Sequence, residues 1–361
     1  MSGRTRVLIV DDSVVIRKLL SDIISADPEL EVAGVASNGK IALQRIRQLR
    51  PDIVTLDIEM PELDGLGTLE ILRREHPDLP VVMFSTLTAR GAEATLSALS
   101  LGASDYVTKP ANVGNVGVAM ERVRSELVPK LKALCRPPSR LTFPPLPTPV
   151  RAGTPTGRVE VIVIGASTGG PNALADVLAD LPATLPVPVL VVQHMPAVFT
   201  RFLADRLDHA CAIAVHEGAS GQRIEPGHVY IAPGDYQMVV RRNIAGIASL
   251  SVDQSPPVNF CRPSVDVLFS SVAAHYGGDV VAAVLTGMGH DGRDGCVALK
   301  ELGAHVITQD EATSVVWGMP GSVASAGLAD EVLPLGAIGS ALVERVERAR
   351  ASRAEPASVR A

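Results

Sequence analysis

Aromatic side chains are scarce in this sequence. One Trp, four Tyr and six Phe make up 3% of 361 residues. The cores must therefore be built from Val, Leu, Ile and Ala, a composition that suits parallel sheets covered by helices, where buried strands read as short aliphatic runs. Cysteine is also sparse. Cys135, Cys211, Cys261 and Cys296 lie far apart with no CxxC pair, so spacing gives neither a zinc ligand set nor a disulfide framework, as a reducing compartment would leave. Basic charge is not in excess: the net charge is −6 and no Lys/Arg block stands out, which argues against a phosphate-tracking surface, and no nucleic-acid partner is expected. No apolar run approaches the roughly 20 residues that span a bilayer. The opening MSGRTRVLIVDD enters a strand at once, without a signal-peptide core. A soluble, cytoplasmic protein with no membrane insertion is expected.

What is present is length and order. Apolar residues make up 47% and charged residues 20%, the balance of a globular chain, and this length exceeds one ordinary core. Residues 136–158, RPPSRLTFPPLPTPVRAGTPTGR, hold seven of the 27 prolines and read as a semi-rigid polyproline-like linker. This divides the chain into a domain at 1–135, the linker, a second domain at 159–350 and a polar, flexible tail at 351–361. In the first domain RVLIV, EVAGVA, DIVTLD, PVVMFS and SDYVT each precede an amphipathic segment. Five such β/α units predict a flavodoxin-like five-stranded parallel sheet with helices on both faces. In the second, VEVIVIG, VPVLVVQ and VVAAVLTG are buried-strand candidates. Two alternating runs flanking Pro233-Gly234-Asp235 predict an antiparallel hairpin at one edge of a doubly wound, mainly parallel α/β sheet.

Ligands of doubly wound sheets collect at the carboxyl ends of the strands. Asp11 and Asp12, Asp57, Ser85 and Lys109 occupy those ends in the first domain. Converging carboxylates repel unless a cation lies between them, and hard oxygen donors suit Mg²⁺. Asp57 is then a nucleophile toward a phosphoryl group, with Lys109 and the metal offsetting its charge. Lys109-Pro110 is a candidate cis-proline bend aiming the ammonium inward. IVDDS, TLDIEMPELDG, MFST and YVTKP resemble the receiver domain of two-component response regulators over nearly all of residues 4–125. Leu63, where many members carry Met, is a minor departure. The resemblance implies that Asp57 accepts a phosphoryl group from a histidine kinase. It further implies that Asp11 and Asp12 help hold Mg²⁺, and that Ser85 and Tyr106 rearrange with phosphorylation.

In the second domain Gly165-Ala166-Ser167-Thr168-Gly169 follows an aliphatic strand and precedes a helix. That matches G-x-S-x-G, a tight turn that projects a serine hydroxyl at the strand's carboxyl end toward a helix N-terminus. A dinucleotide-binding loop is the rival reading. Against it, the next strand ends in Gln193-His194 rather than in an acidic residue, wrong for a ribose diol and right for a general base. LTGMGHDGRDG offers Asp291, His290 and Asp294, and the pattern alone leaves His194 and His290 both open as the base. His76, His209, His216, His228, His275 and His305 read as packed or surface residues.

GASTGGP, VVQHMP, VYIAPGD, RPSVDVLF and LTGMGHDG together resemble the catalytic domain of the chemotaxis protein-glutamate methylesterases, over roughly 159–345. The resemblance implies Ser167 as nucleophile, His194 as general base and Asp291 as its orienting partner. It places Met288 in the loop that builds the oxyanion site and Thr168 beside the nucleophile. It also implies demethylation of glutamate γ-methyl esters on the cytoplasmic helices of methyl-accepting chemoreceptors, with receptor glutamine deamidation as a second activity. No cofactor is expected for the hydrolysis, and a monomer is expected. A DNA-binding output, common behind receivers, would need a basic recognition helix that residues beyond 159 do not supply.

Overall fold

The computed structural model describes residues 3–110, 116–135 and 153–354, which divide into two compact units, 1–139 and 140–361. Linker residues 136–152 and the end of the tail, 355–361, lie outside the described residues. Among the described residues no helix is long and apolar enough to cross a membrane.

In the first unit the strands are β1 (Thr5–Val10), β2 (Leu30–Ala36), β3 (Ile53–Asp57), β4 (Val81–Ser85) and β5 (Asp105–Thr108). They form one parallel sheet in the order β2-β1-β3-β4-β5. The helices are α1 (Val14–Ser25), α2 (Gly39–Leu49), α3 (Gly65–Glu75), α4 (Ala89–Ser100) and α5 (Val116–Cys135). The first four begin where a short polar side chain accepts a backbone N–H of the first turn. Ser13 accepts from Ile16, Asn38 from Ile41, Asp64 from Gly67 and Thr88 from Gly91. The strand order reverses between β1 and β3, so the crevice at that reversal opens beside Asp11 and Asp57.

The second unit has seven parallel strands: β6 (Val161–Ala166), β7 (Val189–Gln193), β8 (Ala214–Glu217), β9 (His228–Ile231), β12 (Val280–Val284), β13 (His305–Gln309) and β14 (Glu331–Leu333). Their order is β14-β13-β12-β6-β7-β9-β8. From β6 the chain winds outward through β7 to β9 and β8, then returns to β12 on the other side of β6. That reversal places the ends of β6, β7 and β12 together.

The antiparallel hairpin is present but lies elsewhere than the alternation suggested. Strands β10 (Gln237–Arg242) and β11 (Ala248–Asp253) pair with each other as a separate two-stranded sheet, while β9 joins the parallel sheet. Pro233-Gly234-Asp235 is the crossing between the two sheets. It presses on the loop after β7, so close that a Cβ on Gly234 would stand 2.3 Å from Ala197 N. Local alternation is the same for either partner, and only the packed loop distinguishes them.

Helix α8 (Val265–Tyr276) packs on this core with Val265, Leu268, Phe269 and Val272 fully buried. Each such side chain contributes about 1.5–3 kcal/mol, which holds the amino end of α8 rigidly against the strand ends. Helix α11 (Leu335–Ala354) runs into the stretch expected as a flexible tail.

Candidate active site

Ser167 follows β6 directly. Its N–H donates to Thr286 O at 3.0 Å, its carbonyl accepts from Gly170 N at 2.7 Å, and Gln193 Nε2 donates to the same carbonyl at 2.9 Å. Gly169 takes φ +77° ahead of α6 (Gly170–Ala179), a conformation costly for any residue with a Cβ. These constraints leave the Ser167 side chain half-buried at the strand end. Gly287, after β12, packs against it so tightly that a Cβ there would lie 2.8 Å from Ser167 Cβ. Met288 therefore flanks the serine. Among the described residues neither the Met288 N–H nor that of buried Thr168 has an acceptor.

His194 follows β7, its N–H donating to Ala166 O at 3.1 Å. Its Nε2 lies 2.8 Å from Asp291 Oδ2. His290 is exposed on the same loop and Asp294 is exposed in the first turn of the helix that follows it, so the imidazole held by Asp291 is that of His194. Nδ1 faces Cys261 Sγ at 3.6 Å. Among the described residues the ring has no hydrogen bond to the Ser167 hydroxyl. Contacts of this kind are often long in free enzymes and tighten when substrate binds.

Asp291 is nearly fully buried and saturated with donors. Oδ2 accepts from His194 and from Val265 N at 2.7 Å; Oδ1 accepts from Ser264 Oγ at 2.8 Å, Asn259 Nδ2 at 2.9 Å and Asp266 N at 3.2 Å. Val265 and Asp266 open α8, so the carboxylate occupies a helix N-terminus, where the dipole favours negative charge. Asp266 does the same for α9 (Arg293–Glu301), accepting from Gly292 N at 2.9 Å and Gly295 N at 2.7 Å. Asn259 Nδ2 bridges the two carboxylates. Burial alone would raise both pKa values. The His194 hydrogen bond and charge hold Asp291 well below the carboxylate range, while burial and the Asp291 charge push Asp266 up. One carboxylate thus carries the negative charge that faces the imidazole. At His194 burial opposes the imidazolium, but Asp291 and the neighbouring thiol outweigh it and raise the ring's pKa.

Asn259, Cys261, Ser264 and Asp266 went unassigned at the sequence level, although Ser264 and Asp266 stand inside RPSVDVLF. The available signal was a run of short polar residues directly before a helix, the pattern of a capping segment.

In the first unit Asp11, Asp12 and Asp57 offer carboxylate oxygens within 4.8 Å of one another. Lys109 Nζ lies 2.8 Å from Asp57 Oδ2 and 2.9 Å from Asp11 Oδ2. Burial raises the Asp57 pKa, Lys109 lowers it and Asp11 raises it, with a net rise to about 6. Three hard oxygen donors around an electrostatically crowded nucleophile fit a magnesium ion. Ser85 is buried and donates to Gly91 O at 3.1 Å while Thr95 Oγ1 donates to it at 2.7 Å; Tyr106 is buried under Lys130. Lys109-Pro110 is not cis: among the described residues the cis peptide is Arg262–Pro263. The ammonium is aimed instead by the end of β5, where Lys109 N donates to Ser85 O at 2.6 Å.

Comparison with known proteins finds matches to both halves of the chain. The family model for the response regulator receiver domain matches residues 7–120, and that for the CheB methylesterase matches 162–342. A protein-glutamate methylesterase/protein-glutamine glutaminase of Nocardioides sp. is 53% identical over 96% of this chain and 97% of its own length. One from Trichodesmium erythraeum is 48% identical over 94% and 99%. The crystal structure of the Thermotoga maritima CheB methylesterase catalytic domain is 42% identical, covering 52% of this chain and 98% of that one, with a TM-score of 0.50. Spanning these relatives almost end to end, with a receiver in front of a methylesterase domain, the chain belongs to the family of protein-glutamate methylesterases/protein-glutamine glutaminases.

Proposed function

We propose that the second domain hydrolyses γ-methyl esters of glutamate side chains on chemoreceptors by serine catalysis, under control of Asp57 phosphorylation. The observation that carries this reading is the His194–Asp291 pair at the strand ends beside Ser167. With Nε2–H committed to Asp291, Nδ1 is the lone pair that takes the proton as Ser167 Oγ attacks the ester carbonyl. The N–H groups of Met288 and Thr168, without an acceptor among the described residues, are the donors suited to the developing oxyanion. The Nδ1 proton passes to the departing methoxide, methanol leaves, and water attacks the acyl-serine with the same base. This returns the serine and a free glutamate carboxylate. On a glutamine the same cycle releases ammonia.

In the receiver, Asp11, Asp12 and Asp57 would hold magnesium, which when bound neutralises phosphoryl oxygens during transfer from a histidine kinase. Asp57 is the acceptor, Lys109 the resident countercharge, and Ser85 and Tyr106 the side chains that relay the change. Methanol release from methylated receptor membranes, with and without a small acyl phosphate, tests the whole scheme. Asp57→Asn is expected to remove the stimulation that the acyl phosphate gives wild type. Equal stimulation in that variant would place control elsewhere.

The pH profile is a second check. The base must be neutral, and Asp291 raises its pKa above the ordinary imidazole value of about 6.5. Activity therefore rises with pH through that raised pKa, so the acid limb of kcat/KM lies above the ordinary imidazole range. An acid limb at or below that range would mean that Asp291 does not stabilise the imidazolium.

A further inference from the structure

The His194 ring has a neighbour that the esterase cycle does not use. Cys261 Sγ lies 3.6 Å from Nδ1, opposite the nitrogen held by Asp291. Thiol, imidazole and carboxylate each offer a donor atom, and all lie within 4.8 Å of one another. The thiol is fixed by its local turn. Val258 and Cys261 exchange backbone hydrogen bonds of 3.0 and 2.8 Å around Asn259 and Phe260, which both take positive φ. Asn259 is in turn anchored to Asp291 and Asp266.

These donors match one edge of a tetrahedral zinc site. With Zn–S near 2.3 Å and Zn–N near 2.0–2.1 Å, sulfur and nitrogen on one ion stand ~3.5 Å apart. A carboxylate on the far ring nitrogen is also the usual partner of a metal-binding histidine, fixing the tautomer and making the coordinating nitrogen more basic. We propose that Cys261 Sγ and His194 Nδ1 form a binding site for a thiophilic divalent cation, foremost Zn²⁺, and that its occupancy switches the esterase off. On binding, the thiol proton is released to solvent and the sulfur becomes a thiolate ligand. The Nδ1 lone pair that would accept the Ser167 proton is donated to the metal. Both side chains are half-buried, so water completes the coordination. Sulfur and nitrogen donors do not select Mg²⁺, which keeps this site chemically distinct from the acidic pocket of the receiver. Cysteine spacing gave no sign of it, because the ligands stand 67 residues apart.

The inhibitory half rests on His194 being the general base; the binding half does not, and the test separates them. Full-length, chelator-treated protein is titrated with Co²⁺ and the near-ultraviolet sulfur-to-cobalt charge-transfer band recorded. The band is expected in wild type and absent in Cys261→Ser. His216 and His228, whose rings approach to 3.0 Å, form a competing imidazole pair but give no sulfur band. In a second arm, Zn²⁺ is expected to shield Cys261 from alkylation, read by peptide mapping of wild-type protein, while leaving the alkylation of Cys135 and Cys211 unchanged. This arm holds even if the serine variant does not fold. Absence of the wild-type band, its persistence in Cys261→Ser, or unprotected Cys261 overturns the site. In the activity arm, Zn²⁺ is expected to inhibit methanol release, reversibly by chelator. The concentration for half-inhibition should rise more than about 100-fold in Cys261→Ser, beyond the 10–100-fold typical of losing an outer-shell partner. Each rate is taken relative to the same variant's metal-free rate. A bound, shielded Cys261 without inhibition would retain the site and refute its role on the base.

Discussion

Ser167→Ala is expected to lower methanol release from methylated receptors by about 10⁴–10⁶-fold, the loss seen when the nucleophile of a serine triad is removed. The turn set by Gly169 and the backbone bonds to Thr286, Gly170 and Gln193 place this side chain at the end of β6. Those bonds use main-chain atoms of Ser167, so alanine preserves the turn and the loss reports chemistry rather than folding. Adding His194→Gln to the alanine variant should cost little more, since nucleophile and base act as a unit. A Ser167→Ala protein that retains activity within tenfold of wild type would remove the serine from the mechanism. Cys261, which also faces the His194 ring, would then be the first residue to examine as nucleophile.

Asp291→Asn is expected to reduce turnover by about 10⁴-fold, as an amide in this position holds the wrong imidazole tautomer. The position is more demanding here than a single pair would be, because both carboxylate oxygens accept several donors. An asparagine turns one of those acceptors into an N–H₂ facing either Val265 N and His194 or Ser264 and Asn259. Buried donors left facing each other cost about 1–3 kcal/mol each, so a lower melting temperature is expected alongside the kinetic loss. The two effects separate in a folded sample below its transition: turnover should stay depressed at temperatures where near-ultraviolet circular dichroism is unchanged. A variant that recovers wild-type turnover once folded would make Asp291 purely structural.

Much of this architecture was legible in the residues themselves. Five aliphatic runs with intervening amphipathic helices specify a parallel sheet, because a buried strand and a one-sided helix have different apolar periods. Strand ends are where such sheets gather ligands, so Asp11, Asp57, Ser85 and Lys109 stood out together, as did Ser167 and His194, while His290 and Asp294 stayed open beside His194 and Asp291 until the family resemblance implied the latter pair. The second domain was less transparent. Alternation around Pro233-Gly234-Asp235 resembles a hairpin, yet β9 pairs in parallel with β7 and β8 while β10 turns away to β11. Strand partners depend on what packs on each face, information that a local pattern does not contain.

The sequence by itself determined the two-domain order, the parallel sheets, the turn that presents Ser167 and the acidic rim around Asp57, all consequences of short-range periodicity and turn chemistry. Short-range pattern left His194 and His290 both open and the resemblance implied His194; the tertiary structure brings the His194 ring within 2.8 Å of Asp291. It alone showed that Asn259, Ser264 and the start of α8 saturate that carboxylate, and that Cys261 faces the free ring nitrogen. These contacts join loops separated by tens of residues. Their existence depends on how β6, β7, β12 and α8 pack, since a hydrogen bond forms between neighbours in space and leaves no period in the chain.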